Sequence, residues 1–325
     1  MKHLTVEQRY TISVMKKQNY SQKEIANAIG KDKSIVCREL KRNCDKRSGS
    51  YGHDLAQRKY EQKQRNKPKH IRFTTQVKQC VDELLNKDYS PEQIAGRMKI
   101  EEKTCVSPER IYQYVWKDKK DGGILYTHLR RQGRKYRKRG NAKDTRGVIK
   151  NRVDIEQRPA IVNEKERLGD LEIDTVIGQN HKGALLTIND RVSSMSWIAK
   201  LNGKNADELA QKTIEVLNPF KGFMNTITAD NGKEFAEHKI ISTSLDMDFY
   251  FAKPYHSWER GANENMNGLI RQYFPKGTSF ENISNEDVQK VQDILNNRPR
   301  KKLNFLTPNE FLSIYLSNQK VAFVT

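Results

Sequence analysis

Three strand-like runs follow one another between residues 170 and 201, and no other feature limits the possible folds so tightly. LEIDTVIG (171–178), ALLTIND (184–190) and SMSWIAKL (194–201) are rich in β-branched and apolar residues, with HKG (181–183) as a turn between the first two. After them the period switches. NADELAQKTIEVL (205–217) has helical spacing, TITAD (226–230) is a strand, KEFAEHKII (233–241) a helix and DFYFA (248–252) a fifth strand. ANENMNGLIRQYF (262–274) and NEDVQKVQDILNN (285–297) complete the series as helices. This order predicts a mixed five-stranded α/β sheet with helices packed on it.

The N-terminal half predicts only helices. In residues 4–43 three short helices are expected, the first carrying Val6, Tyr10 and Val14 spaced by four. Ser21 with Glu24 three residues on is a capping box, Ile25, Ala26 and Ile29 form a buried face, and Gly30 supplies a tight turn. The helix that follows turns Ile35, Val36 and Leu40 inward and Lys33, Ser34, Arg38, Lys41 and Arg42 outward. Helix, glycine turn and basic helix make a helix-turn-helix, whose second helix enters the major groove. The Tyr-Ser-x-x-x-Ile-Ala core of 20–26 returns at 89–95, and Ser107-Pro108-Glu109 opens a further helix with Ile111, Val115 and Trp116 as expected core. A second helix-turn-helix is therefore expected. The division predicted is 1–45 for the first helix-turn-helix, 46–75 for a basic connector, 76–129 for the second, 130–165 for a basic arm and linker, and 166–325 for the α/β domain.

Charge separates the same halves. Residues 1–150 hold 38 Lys and Arg against 17 Asp and Glu, a balance of +21, whereas residues 151–325 hold 22 against 23, a balance of −1. Such segregation implies a polyanionic partner, since Lys and Arg release counterions condensed on nucleic acid. RRQGRKYRKRGNAKDTRGVIK (130–150) is the most basic stretch, and Arg130, Arg131, Arg134, Lys135, Arg137, Lys138 and Arg139 are expected to track phosphates. No stretch approaches the roughly 20 apolar residues of a membrane span, and MKHLTVEQRY lacks the apolar centre of a signal peptide. Cys37, Cys44, Cys80 and Cys105 show neither CxxC nor Cys/His finger spacing, which fits reduced thiols in a cytoplasmic protein.

Three acids stand out in the α/β half. Asp174 lies mid-strand, where alternation puts it on one face with Glu172, and a carboxylate there is costly unless paired or bound to a metal. Asp230 ends a strand just before Asn231-Gly232, where a turn-capping role is the alternative. Glu264 shares a helix face with Gly268 and Arg271, while Met266, Leu269, Ile270 and Tyr273 fall on the packing side. Strand, strand end and helix can bring the three carboxylates together, an oxygen-rich set suited to hard divalent cations. Two such ions about 3.5–4 Å apart serve in-line phosphoryl displacement without a nucleophilic side chain.

Asp174, TADNGKEF at 228–235 and Glu264 within PYHSWERGANENMNGLIRQYFP (254–275) resemble the DDE triad of transposases and retroviral-type integrases. NNRPRKKLNFLTPNEF (296–311) is similar to the stretch after that triad, and HSWERGANENMNGLIRQYFPKGT (256–278) resembles specifically the IS30 family of bacterial insertion-sequence transposases. The resemblance runs over nearly the whole chain. It implies an RNase H-like, integrase-type catalytic domain in which Asp174, Asp230 and Glu264 are catalytic and hold two Mg²⁺ ions, with Mn²⁺ able to substitute. It further implies cleavage and joining of double-stranded DNA at terminal inverted repeats and target. A homodimer or higher synaptic oligomer is expected, in the bacterial cytoplasm and on the nucleoid through DNA, with no nucleotide cofactor and no membrane partner. Lys253, His256, Arg260, Arg271 and Lys276 are candidates to grip phosphates, and Trp258 to stack on a base. Asp170, Glu172, Asp190, Glu234 and Glu259 are substitute acids. The competing reading is a sequence-specific DNA-binding regulator with a silent RNase H-like scaffold.

Overall fold

The structure, a computed structural model, describes residues 3–66, 73–104, 106–132, 149–253 and 256–322. The chain forms two compact units, residues 1–71 and 72–325.

The first unit contains α1 (Val6–Lys17), α2 (Gln22–Ala28), α3 (Lys33–Asn43) and α4 (His53–Asn66). The Ser21–Glu24 capping box starts α2, Gly30 takes φ +62° in the turn, and the Asp32 carboxylate accepts the Ser34 N–H to start α3. Ile12, Ile25, Ala26, Val36, Tyr51 and Ala56 close a small core. Two expectations are corrected here. Val6 and Tyr10 are 55% and 56% exposed, because α1 instead turns Arg9, Ile12 and Ser13 inward. Arg9 Nε donates to Glu39 Oε1 at 3.0 Å, and the Tyr51 hydroxyl donates to the same oxygen at 3.1 Å. A buried ion pair thus sets the helix phase that apolar spacing misplaces. The expected connector also holds α4, whose Ala56 is buried and whose Tyr60 ring stacks on the Arg9 guanidinium at 4.5 Å.

The second unit begins with α5 (Thr75–Asn86), α6 (Pro91–Ile100) and α7 (Pro108–Lys120), capped by Thr74, Ser90 and Ser107. Val81, Leu85, Ile94, Met98, Ile111 and Val115 are buried among them. Trp116, expected in the core, is 37% exposed and lies 5.6 Å under the Lys119 ammonium, about 100° round the helix from the buried Val115.

Five strands follow: β1 (Asp170–Ile177), β2 (Ala184–Asp190), β3 (Ser196–Leu201), β4 (Thr226–Ala229) and β5 (Asp248–Phe251). Their order is β3-β2-β1-β4-β5, with β1–β2 and β2–β3 antiparallel and β1–β4 and β4–β5 parallel. The helices are α8 (Ile161–Glu164), α9 (Ala206–Leu217), α10 (His238–Leu245), α11 (Gly261–Tyr273), α12 (Asn285–Asn296) and α13 (Pro308–Ala322). Leu171 and Ile173 pack in one core with Leu209 of α9 and Ile241 of α10. Val176, of opposite parity, packs in another with Met266 and Ile270 of α11 and Leu295 of α12. The sheet is thus covered on both faces, and period-2 alternation sends Glu172 and Asp174 toward α11.

The first helical module of this unit is docked on the α/β part. Arg97 forms a bidentate pair with Glu310 of α13 at 2.7 and 2.7 Å, and Gln93 Nε2 donates to the Pro299 carbonyl at 2.7 Å. The Tyr89 hydroxyl donates to the Asn297 carbonyl at 2.9 Å, and a Cβ on Gly96 would overlap the Phe305 ring. The end of the expected 130–165 linker is also packed: Phe251 N–H donates to the Val153 carbonyl at 2.9 Å, and Ile149 is buried in the core beneath α9 and α10.

Candidate active site

The parallel pairing of β1 and β4 sets Glu172 against Thr228. Two residues further along each chain stand Asp174 and Asp230, so backbone register alone makes them neighbours. Asp174 Oδ1 accepts the Thr175 N–H at 2.9 Å and its Oδ2 accepts Asn267 Nδ2 from α11 at 2.9 Å. Asp230 Oδ1 caps its own turn, accepting the Gly232 N–H at 2.8 Å. Each aspartate then points one oxygen at the same guanidinium: Arg260 Nη1 lies 3.5 Å from Asp174 Oδ2, and Arg260 Nη2 lies 3.5 Å from Asp230 Oδ2. Burial pushes the Asp174 carboxyl up to about 6; Arg260 opposes the rise and the Asp230 carboxylate adds to it.

Glu264 is not part of this cluster. Among the described residues no three His, Cys, Asp or Glu side chains stand together as a metal-ligating group. The reason is helix phase. The α11 face toward the sheet is set by Asn263, Met266, Asn267 and Ile270, and at 100° per residue Glu264 projects about 60° to the side of Asn267, where it is exposed. Asn263 and Asn267 are the residues that sequence reading misses. The Asn263 N–H donates to Glu172 Oε2 at 3.0 Å, its side chain bonds Asn189, and Asn267 Oδ1 accepts the Thr187 hydroxyl at 3.2 Å. Two asparagines at i and i+4 on an otherwise apolar face were the available signal.

A helix-turn-helix domain model matches residues 1–43. The chain is 54% identical to the transposase for insertion sequence element IS4351 of Bacteroides fragilis, over 100% of this chain and 99% of that one. The chain belongs to the IS30 family of insertion-sequence transposases. It is also 33% identical to transposase InsI for element IS30A of Escherichia coli K12, over 95% of this chain and 83% of the relative. The solved catalytic core of BIV integrase aligns with 48% of this chain and 98% of its own, at 16% identity and a TM-score of 0.37. This IS30-family chain is thus a DNA transposase, a polynucleotidyl transferase of a class that requires a divalent metal.

The other acids of this transposase each have partners of their own. Glu172 is buried with Arg191 Nε at 3.1 Å, and Asp170 pairs with Arg167 at 2.9 and 3.0 Å. Asp190 caps the turn after β2 through the Ser193 N–H and hydroxyl, at 2.6 and 2.7 Å. Glu234 takes Lys204 at 3.1 Å and the Thr175 hydroxyl at 2.9 Å, and Glu259 accepts the Lys253 N–H at 2.9 Å. Each is thus held by partners of its own, whereas Asp174 and Asp230 share Arg260.

The basic candidates divide in the same way. Arg271 was expected to look out beside Glu264; instead it donates to the Ile177 carbonyl at 2.7 Å and lies over the Phe280 ring. Arg130 donates to Asn265 Oδ1 and to its carbonyl at 2.9 and 3.2 Å, so it ties the helical module to α11 and does not begin a free arm. Lys253 pairs with Glu156. Lys33, Ser34, Arg38, Lys41 and Arg42 are all exposed on α3, as are Arg131 and Lys276, and His256 is half-buried beside the turn that carries Arg260. Arg134, Lys135, Arg137, Lys138, Arg139 and the Trp258 side chain lie outside the described residues.

Proposed function

We propose that this transposase grips the terminal inverted repeats of its element through the exposed face of α3, the module α5–α7 and the basic stretch 130–150, and cuts and joins DNA strands at Asp174, Asp230 and Glu264. The observation that carries the reading is the in-register pair Asp174 and Asp230, 56 positions apart in sequence, aimed at one cation. Their oxygens suit Mg²⁺, or Mn²⁺ in its place, and the loose seating of Arg260 on both carboxylates marks the point where positive charge is wanted. When bound there, a pair of divalent ions would activate the attacking oxygen and stabilise the leaving one.

The protein's own groups do the rest. Asn267 holds the Asp174 carboxylate by one oxygen, and the Gly232 N–H fixes Asp230 in its turn. Glu264 is exposed on α11, clear of the packing that occupies Met266 and Ile270, and a turn of that side chain toward the pair is what the reading requires of it. Water attacks in the cleavage step and a DNA 3′-hydroxyl in the joining step. The latter exchanges one phosphodiester for another, so no nucleotide cofactor is required. Two element ends must meet, which calls for a homodimer or larger assembly on DNA, hence for a nucleoid-associated protein. A silent regulator is not favoured, because full-length relatives are transposases.

The deciding experiment is nicking of a labelled inverted-repeat duplex with Mg²⁺ or Mn²⁺. Asp174→Asn, Asp230→Asn and Glu264→Gln should each abolish nicking and retain DNA binding. Wild-type nicking by all three would reject the assignment, and full activity of Glu264→Gln alone would remove that residue from it.

A further inference from the structure

We propose that Arg260 is a built-in stand-in for the metal: its guanidinium occupies the space between Asp174 and Asp230 and must swing out before divalent cations bind. The inference rests on the assignment of those two aspartates as metal ligands. Four observations carry it.

The first is position. A single guanidinium faces both carboxylates, Nη1 toward Asp174 and Nη2 toward Asp230, at 3.5 Å each. The second is poor fit. A guanidinium built to stay on a carboxylate makes paired, short bonds, as Arg97 does on Glu310 at 2.7 and 2.7 Å in this same unit. Arg260 is only 13% exposed, yet its Nε and Nη1 make no hydrogen bond among the described residues. It balances charge without being locked. The third is that the surrounding acids leave this pair apart: Glu172 has Arg191, Glu234 has Lys204 and Asp170 has Arg167. The fourth is the element that carries it. Arg260 ends a short 3-10 turn, Ser257–Arg260, that runs into the first residue of α11, and a Cβ at Gly261 would meet no described atom within 4 Å, which leaves room on that side of the junction.

Two aspartates facing one another without a cation would repel at short range, and Arg260 relieves this until a metal ion takes its place. Its release would leave two negative charges for a divalent ion and would free the guanidinium to meet a DNA phosphate. A ligand-competent state populated in one molecule out of ten weakens apparent affinity about tenfold.

The test is calorimetric titration of Mn²⁺ into the full-length protein without DNA, with Mg²⁺ followed in parallel by thermal shift. Arg260→Gln should bind Mn²⁺ about tenfold more tightly than wild type, a change of that size reflecting removal of the competing state. Arg260→Lys, which keeps one charge but cannot span two carboxylates, should fall between them. Asp174→Asn should bind far more weakly than any. Unchanged or weaker binding by Arg260→Gln, with Asp174→Asn still defective, would overturn the stand-in role and leave the ligand assignment intact. Wild-type binding by Asp174→Asn would overturn the ligand assignment and this proposal with it. Should circular dichroism show Arg260→Gln to be misfolded, Arg260→Lys decides: affinity at or below wild type refutes the proposal.

Discussion

Asp174→Asn should make the metal-free protein more stable while disabling it. In the fold the Asp174 carboxyl rises from its ordinary 3.8 to about 6, chiefly through burial on β1, so ionising it costs more in the native state than in the unfolded chain. The sign follows from proton counting. Between pH 3.8 and 6 the native state holds the proton more firmly, so wild-type stability falls as pH rises through that window and levels off above it. At 1.36 kcal/mol per pH unit the full penalty is about 3 kcal/mol. The side chain is 21% exposed, so the value is an upper figure. Asn has the same shape and no charge to ionise. The stability gap between variant and wild type should therefore grow by about 1 kcal/mol from pH 5 to pH 7.5 and stay flat beyond. Urea denaturation of both proteins at half-unit pH intervals, without metal, measures the gap directly. Adding Mg²⁺ to ten times its dissociation constant should return about 1.4 kcal/mol to wild type and nothing to the variant. Parallel stability curves across pH 5 to 7.5 would show that Asp174 is not held against its ionisation, and the argument from burial would fail.

Other outcomes follow from the packing. Glu39→Ala leaves Arg9 buried without its partner and should destabilise the first unit by about 3–5 kcal/mol, seen as loss of its thermal transition with the second unit unaffected. Gly96→Val drives a side chain into the Phe305 ring and should cost about 1–3 kcal/mol, read as faster proteolysis near residues 297–306. DNA affinity should fall steeply with salt, by about one power of ten or more between 50 and 200 mM if several phosphates are contacted, and a flat response would remove the phosphate-tracking role of 130–150.

Much of the α/β half was legible because its strands alternate cleanly. All five runs became strands, and Asp174 and Asp230 fall where period-2 parity and the Asn231-Gly232 turn put them. The helix starts at Ser21, Ser90 and Ser107 were equally readable, since a cap is a local bond. The failures share a cause. Arg9, Glu39 and Tyr60 build part of a core from charged and polar groups, so apolar spacing put α1 in the wrong phase and missed α4. Arg271 and Arg130 read as surface cations until a carbonyl of β1 and an asparagine of α11 claimed them. Such contacts join residues far apart in sequence and leave no trace in any local window. The phase of α11, which sends Asn267 and not Glu264 to Asp174, is fixed by the apolar residues between them and by Glu172 capping the Asn263 N–H.

The bond between Arg97 and Glu310, with the Gly96–Phe305 seat beside it, makes the α5–α7 module a fixed attachment of the catalytic sheet. A nucleotide held by α7 would therefore lie at a constant span from the scissile phosphate, and the protein would measure its cut instead of searching for it. Five extra base pairs placed between the two points, about half a turn of duplex, should then turn the cleavage site to the far side of the helix and silence it, whereas about ten should restore only the orientation.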